Sequence, residues 1–287
     1  MTRSAPSRRL ALLAASTAAI VLTLTGMTPA SAAAPPTAPD SSQVVNYVNL
    51  GDSYSAGFGS GSLVSGPLPG CLQGSGPSHV TQIASTENVN LLANAACAGL
   101  GTAEIAEVIG AIGGQLGAAD LVTLSLGAND LNIRGLLTFC STPGMDIACD
   151  QALAAGAQLI PTVGASAHQT LALLDASTSG HILVLDYPRL FTASAGDQPL
   201  LSAARARDLN ALGDSLNKAI RNATRGTSAS FISVQGRFNN HGLGSTDPWI
   251  YFNAANLNDP FNLHPTTTGY LQGYYPAVRS YLNRLLP

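Results

Sequence analysis

From residue 44 onward, two kinds of apolar run alternate along the chain. The short kind is nearly continuous: Val44–Leu50, Val89–Leu92, Leu121–Leu126, Ile182–Leu185 and Phe231–Val234. Runs of that length, rich in Val, Ile and Leu, predict strands buried on both faces, as in a parallel sheet. The long kind recurs every three to four residues and predicts helices. These are Ser78–Ala84, a helix from Thr102 carrying Ile105, Val108 and Ile109, Asp150–Leu174, and Leu201–Ala223. The third is expected to be interrupted or restarted at Pro161. A last helix should open at His264-Pro265, where the missing N–H of proline is no loss. Residues 131–149 read as loop or short helix, and Arg237–Asn262 as irregular chain. Gly57–Gly76 is rich in Gly, Ser and Pro and carries Leu63, Val64, Leu68 and Leu72; loops this long are usually functional or pinned. Strands alternating with helices predict an α/β fold, a parallel sheet with helices on both faces.

The first residues follow another pattern. Arg3, Arg8 and Arg9 precede the apolar run Leu10–Leu24, and Ala30-Ser31-Ala32 then offers small residues for cleavage. That is the make-up of a secretory signal peptide, residues 1–32; the run is too short and too rich in Ala, Ser and Thr for a membrane span. Residues 33–42 read as a flexible leader, and 43–287 as one domain. The signal holds three of the thirteen basic residues and none of the sixteen acidic ones, so cleavage moves the net charge from −3 to −6. Lys218 is the one lysine and there is no basic run, which argues against nucleic acid or anionic lipid as a partner. Gly57, Gly59 and Gly61 do not complete a dinucleotide fingerprint, because the spacing fails at Ser62. No nucleotide or other cofactor is expected.

Four cysteines remain: Cys71, Cys97, Cys140 and Cys149. An even count in an exported chain reads as two disulfides, in any of three connectivities. Cys71–Cys97 and Cys140–Cys149 are favoured because each closes a local loop between elements. A zinc site would need C-x-x-C or paired Cys/His spacing, which is absent.

Candidate chemistry gathers at strand ends. Gly51-Asp52-Ser53 ends the first strand, and in an open α/β sheet ligands bind beyond the carboxyl ends of strands. A serine hydroxyl there needs a base to take its proton. Of five histidines, His79, His168, His181 and His241 read as structural or solvated, whereas His264 sits on a loop before the last helix. Asn129, two residues past the third strand, can donate a side-chain hydrogen bond, and Gly99 can offer a main-chain N–H. Serine, histidine and such donors converging on one point describe acyl transfer with an oxyanion hole. Each segment taken alone is also an ordinary turn.

Gly51-Asp52-Ser53-Tyr54, Cys97-Ala98-Gly99, Gly127-Ala128-Asn129-Asp130 and His264-Pro265 occur in the order of the blocks of the SGNH, or GDSL-type, hydrolases. From Tyr47 to about Leu286 the chain resembles the secreted actinobacterial lipases, esterases and phospholipases of that family. The resemblance implies a flavodoxin-like α/β/α fold with about five parallel strands and no cofactor. It makes Ser53 the nucleophile and His264 the general base, with the Ser53 N–H, the Gly99 N–H and the Asn129 side chain as oxyanion donors. The secreted relatives commonly carry disulfides matching the two pairs above, and often a third that is absent here. A larger departure is Phe261, which stands where most of the family has an aspartate orienting the histidine; the nearest carboxylate is Asp259. Some relatives use a main-chain carbonyl instead, so the expected orienting group is the carbonyl of Phe261 or Asn262, with Asp259 as the rival.

The expected protein is a secreted, monomeric hydrolase of small-molecule or lipid carboxylic esters. Its acyl pocket is expected from Leu63, Val64 and Leu68 together with Trp249–Phe252. Asp186-Tyr187-Pro188-Arg189, after the fourth strand, reads as a structural turn beside the cleft. The alternatives are a phospholipase, a polysaccharide acetyl esterase, a metal hydrolase, or a lipid- or glycan-binding module without turnover.

Overall fold

The computed structural model describes residues 44–198 and 201–286; the expected signal peptide and leader lie outside the described residues. The chain runs β1 (Val45–Gly51), β2 (Leu63–Ser65), β3 (Leu72–Gly74), α1 (His79–Ala84), β4 (Val89–Asn94), α2 (Thr102–Ala111), α3 (Gly113–Gly117) and β5 (Leu121–Ser125). It continues through α4 (Ile133–Ser141), α5 (Asp146–Ser177), β6 (His181–Leu185), α6 (Ala203–Ala223), β7 (Ser230–Ile232), a π-helical turn Gly269–Tyr274, and α7 (Tyr275–Leu285).

Five strands form one sheet in the order β4-β1-β5-β6-β7, and every pair is parallel. Counting sheet strands alone, the order is 2-1-3-4-5, the flavodoxin-like arrangement expected above. The central strands carry the continuous apolar runs because both of their faces are covered: every residue of β5 is buried, as are all of β1 except Asn46 and all of β6 except His181. Right-handed crossovers put α1, which leads outward to β4, on one face and α2, α5 and α6, which lead the other way, on the opposite face. Accordingly α1 packs with α7, while α2, α5 and α6 pack in series. The connections of β1 and β5 leave in opposite directions, so the crevice at a topological switch point lies between their carboxyl ends.

Three local differences from the sequence reading have physical causes, and both expected disulfides are present. The long loop 57–76 contains the short antiparallel hairpin β2–β3, and the Cys71–Cys97 disulfide ties it to the segment after β4. The second bridge, Cys140–Cys149, closes the corner between α4 and α5. Each closed loop should add roughly 2–4 kcal/mol by restricting the unfolded chain. Pro161 does not interrupt α5, which runs unbroken from Asp146 to Ser177. Packing overrides the lost hydrogen bond there: Gly156 and Gly164 let α6 come so close that a Cβ would stand 3.0 Å from Leu212 and 3.3 Å from Ala219. Finally, Pro265 does not open the last helix. It pairs with Ile250 in an isolated bridge, and helical turns begin at Thr267, with the Thr266 hydroxyl accepting from the Gly269 N–H at 3.2 Å.

Candidate active site

Gly51 is where β1 turns over. Its φ is +112°, and a Cβ would lie 2.3 Å from the Ser125 carbonyl oxygen of β5, so only glycine fits. The turn that follows is held by main-chain bonds from Ala56 N–H to Asp52 (2.9 Å) and from Phe58 N–H to Ser53 (3.1 Å). Ser53 is thereby presented at the switch point, and it is 8% exposed.

His264 reaches the same place from the far end of the chain. Its Nε2 lies 2.8 Å from Ser53 Oγ, and its Nδ1 lies 3.3 Å from the carbonyl oxygen of Phe261. Nδ1–H donating to that carbonyl leaves Nε2 as acceptor for the serine hydroxyl, the tautomer a general base needs. The ring stands between Tyr54 (centroids 5.2 Å apart) and Phe58 (5.4 Å). Burial pushes its pKa down to about 4, against the upward pull of hydrogen bonds to the Phe261 and Asn262 carbonyls, and Arg134 nearby adds to the lowering. The residue before it, Leu263, has φ +70°, an outlying conformation for a branched side chain that stores about 1–3 kcal/mol. It is held there from both sides: the Tyr54 hydroxyl donates to the Leu263 carbonyl at 2.5 Å, and the Leu263 N–H donates to Tyr251 at 2.8 Å.

Asp259 does not meet the imidazole. Its carboxylate accepts from Tyr251 Oη (3.1 Å), Asn253 Nδ2 (3.1 Å) and the Phe261 N–H (3.0 Å), and the Phe261 main chain heads the bonds that hold its pKa below the usual carboxylate range. Asn262 turns its side chain toward the loop, accepting from the Asn253 N–H at 2.6 Å.

The turns that carry Gly99 and Asn129 are tied together. Asn129 Nδ2 donates to the Leu100 carbonyl at 2.9 Å, while Asp130 caps the start of α2 by accepting from the Thr102 N–H and hydroxyl. Gly99 has φ +86° and its Cβ position faces open space. Cys97 N–H donates to Gly51 O at 3.0 Å, so this turn hangs from the end of β1. Among the described residues, neither the Ser53 nor the Gly99 N–H is engaged by an acceptor. The Ser53 and Gly99 N–H groups thus remain free among the described residues, while the Asn129 amide already donates to Leu100.

Beneath the turn lies a polar network that sequence reading missed. Asp52 is buried, with Ser125 Oγ donating at 2.7 Å, the Tyr54 N–H at 3.0 Å and the Tyr187 hydroxyl as a third donor. Burial still raises its pKa above the usual carboxylate range. The Tyr187 oxygen also accepts from the Ala128 N–H at 3.3 Å, so one phenol joins the turn after β1 to the turn after β5. Asp186-Tyr187-Pro188 stands directly beyond a strand end, but a lone tyrosine there does not announce a bridge between two turns. Tyr187→Phe should leave a buried carboxylate short of one donor and the Ala128 N–H unpaired, a loss of about 1–3 kcal/mol. Chemical denaturation measures that loss, and a fall in kcat of several-fold is expected to accompany it.

The residues expected to form the acyl pocket are scattered. Leu63 and Val64 are exposed on β2, Leu68 packs against the core, Trp249 packs on Phe238 and His241, Ile250 is buried, Tyr251 packs on Phe261, and Phe252 is exposed. An apolar hollow that includes Tyr54 and Ala128 is lined by side chains of α4, α6 and the segment Tyr187–Phe191. Strand-end reasoning could not find it, because its walls belong to helix faces that meet only in the folded chain. The remaining histidines do no work here: His168 Nδ1 lies 2.8 Å from the Ala223 carbonyl oxygen, His241 stacks on Trp249, His181 starts β6 and His79 is buried against Tyr270 and Tyr274. Among the described residues there is no group of three or more His, Cys, Asp or Glu able to hold a metal ion, and no helix is long and apolar enough to cross a membrane.

Comparison with known proteins shows the family. Lipase 1 of Streptomyces coelicolor is 29% identical over 264 residues, covering 89% of this chain and 91% of that protein. The crystal structure of the extracellular lipase of Streptomyces rimosus superposes with a TM-score of 0.72 at 28% identity, covering 83% of this chain and 99% of that one. Phospholipase A1 of Streptomyces albidoflavus superposes with a TM-score of 0.71 at 25% identity and the same coverage. Residues 50–271 match the model of the GDSL-like lipase/acylhydrolase family, which takes in both the Ser53 turn and His264. The chain belongs to that family and is a hydrolase of carboxylic esters.

Proposed function

We propose that the chain is an exported, monomeric esterase or lipase that works through an acyl-enzyme on Ser53. Ser53 Oγ attacks the ester carbonyl carbon while its proton passes to His264 Nε2. The carbonyl oxygen gains the negative charge and is met by the Ser53 N–H, the Gly99 N–H and the Asn129 amide. The C–O bond to the alcohol then breaks, and the alcohol leaves with the proton from Nε2. Water repeats the sequence on the acyl-serine, releasing the acid and restoring the hydroxyl. The observation that carries this reading is the 2.8 Å approach of Ser53 Oγ and His264 Nε2 across 211 residues of sequence. The apolar, Arg-led N-terminal segment supports export.

The proposed base is oriented by the Phe261 carbonyl rather than by a carboxylate. Removing the aspartate's contribution from a serine-protease triad costs about 10⁴, largely through the wrong tautomer; a carbonyl accepting from Nδ1–H avoids that loss. Asp259→Ala should therefore lower kcat only a few-fold, through loosening of its loop. Steady-state kinetics on a soluble ester decide it, and a loss as large as that of His264→Ala would make Asp259 the third catalytic member. A phospholipid ester is the second reading, favoured by the likeness to phospholipase A1. A panel of short esters, long esters and phospholipids, run against wild type and Ser53→Ala, separates the two.

A further inference from the structure

The apolar hollow is small, about 80 Å³, and its walls include Tyr54, Ile133, Leu137, Pro188, Leu209 and Leu212. A water's share of liquid volume is about 30 Å³, so the hollow holds only a few methylenes. Arg189, Phe191, Asn210 and Asp214 line it as well, and the same four residues line a second cleft of about 340 Å³. The second cleft differs in character, since Arg207, Thr192, Ser194, Asn239 and Asn240 complete its walls. Two spaces therefore share one partition, and an ion pair stands in it. Arg189 Nη2 lies 2.8 Å from Asp214 Oδ2, Arg189 Nε lies 3.1 Å from Oδ1, and Gln235 Nε2 donates to Oδ1 at 2.7 Å.

We infer that the Arg189–Asp214 pair is the end wall of the acyl site and makes the enzyme selective for short acyl chains. The inference rests on Ser53 as the nucleophile, because Tyr54 and Ala128, which line the hollow, follow Ser53 and precede Asn129 in the chain. Each methylene that enters apolar surroundings should raise kcat/KM about fourfold. A chain that outgrows the hollow must part a bidentate ion pair, and beyond it meets amides and a guanidinium that offer an alkyl chain nothing. Gly213, between Leu212 and Asp214 on α6, faces this space: it lines the hollow, and a Cβ there would meet no atom within 4 Å.

Two opposite substitutions test the wall. Wild type should favour p-nitrophenyl butyrate over both acetate and octanoate in kcat/KM. Arg189→Ala and Asp214→Ala join the hollow to the larger cleft, and each should raise the octanoate-to-butyrate ratio at least tenfold. Gly213→Leu fills the hollow and should lower the butyrate-to-acetate ratio at least tenfold. The ion-pair side chains are 53% and 36% exposed, so the alanine variants should keep their melting temperatures within a few degrees, and a changed ratio then reports the wall. Ratios within twofold of wild type in all three active variants, or a wild type that already prefers octanoate, would overturn the inference. Ester hydrolysis that survives Ser53→Ala would instead overturn the proposed nucleophile, a separate outcome.

Discussion

Alanine at Ser53 or at His264 is expected to lower kcat by about 10⁴ or more while leaving KM within a few-fold of wild type. The two losses should be alike, and the double variant should be no worse than either single one. The reason lies in how the groups depend on each other. Without the imidazole the hydroxyl keeps its proton and is a poor nucleophile; without the hydroxyl the base has nothing to activate. What should survive is the stabilisation of the oxyanion by the donors proposed at Gly99 and Asn129, which would act on any attacking water. KM changes little because neither side chain belongs to the hollow proposed to hold the acyl group. Steady-state kinetics on a soluble ester, with circular dichroism to show that each variant folds, measure the effect. A His264→Ala variant retaining a tenth of wild-type kcat would mean that another group takes the proton.

The second large effect is a loss of stability in acid, and it originates away from the active site. His79 on α1 is wholly buried, and among the described residues neither ring nitrogen has a hydrogen-bond partner. Its ring lies 5.6 Å from that of Tyr270 and 5.3 Å from that of Tyr274. A charge there would be unpaired in the core, and burial lowers its pKa from 6.5 to about 3. In the unfolded chain the imidazole takes up its proton near pH 6.5; in the folded chain it does so only near pH 3. Stability is therefore whole above pH 6.5 and falls as the pH drops through that window. Between pH 7 and pH 4 the loss from this residue should be about 3 kcal/mol. His264, with its pKa lowered to about 4, works in the same direction. Asp52 and Asp186, both raised by burial, work in the opposite one. His79→Leu isolates the contribution: its unfolding free energy, measured in urea at pH 7 and pH 4, should fall about 3 kcal/mol less than that of wild type. Parallel falls would show that the unfolding reflects other groups.

Much of this arrangement was legible in the sequence because it depends on strand ends. A buried parallel strand announces itself as an unbroken apolar run, and the residues just past its carboxyl end are placed by the sheet rather than by their own preferences. That is why the strands, and the positions of Ser53 and Asn129 just past two of them, could be read from short segments, while the flavodoxin-like arrangement came from the family resemblance. Elements governed by packing were not legible. Pro161 argues locally for a break, yet the close fit of Gly156 and Gly164 against α6 carries α5 through it. Strands of three residues, as in β2 and β3, are too short to show a period. The apolar residues of their loop suggested a pocket, but Leu63 and Val64 remain in solvent while the hollow is built from α4 and α6. Asp259 makes a related point. Five residues from His264 it is near in sequence, but its oxygens are occupied by Tyr251, Asn253 and the Phe261 main chain. Tyr187 was passed over because nothing in a lone tyrosine after a strand shows that it will bridge two turns.

The most direct test of the central proposal, a hydroxyl and an imidazole acting together at the carboxyl edge of the sheet, is stoichiometric labelling with a p-nitrophenyl alkylphosphonate. One phosphonyl group per chain should be found by mass spectrometry on the peptide that contains Ser53, with ester hydrolysis lost in step. Labelling should be absent in Ser53→Ala and slowed at least a thousandfold in His264→Ala. Inactivation with the label on any other residue, or full ester hydrolysis by a chain that carries it on Ser53, would contradict the account.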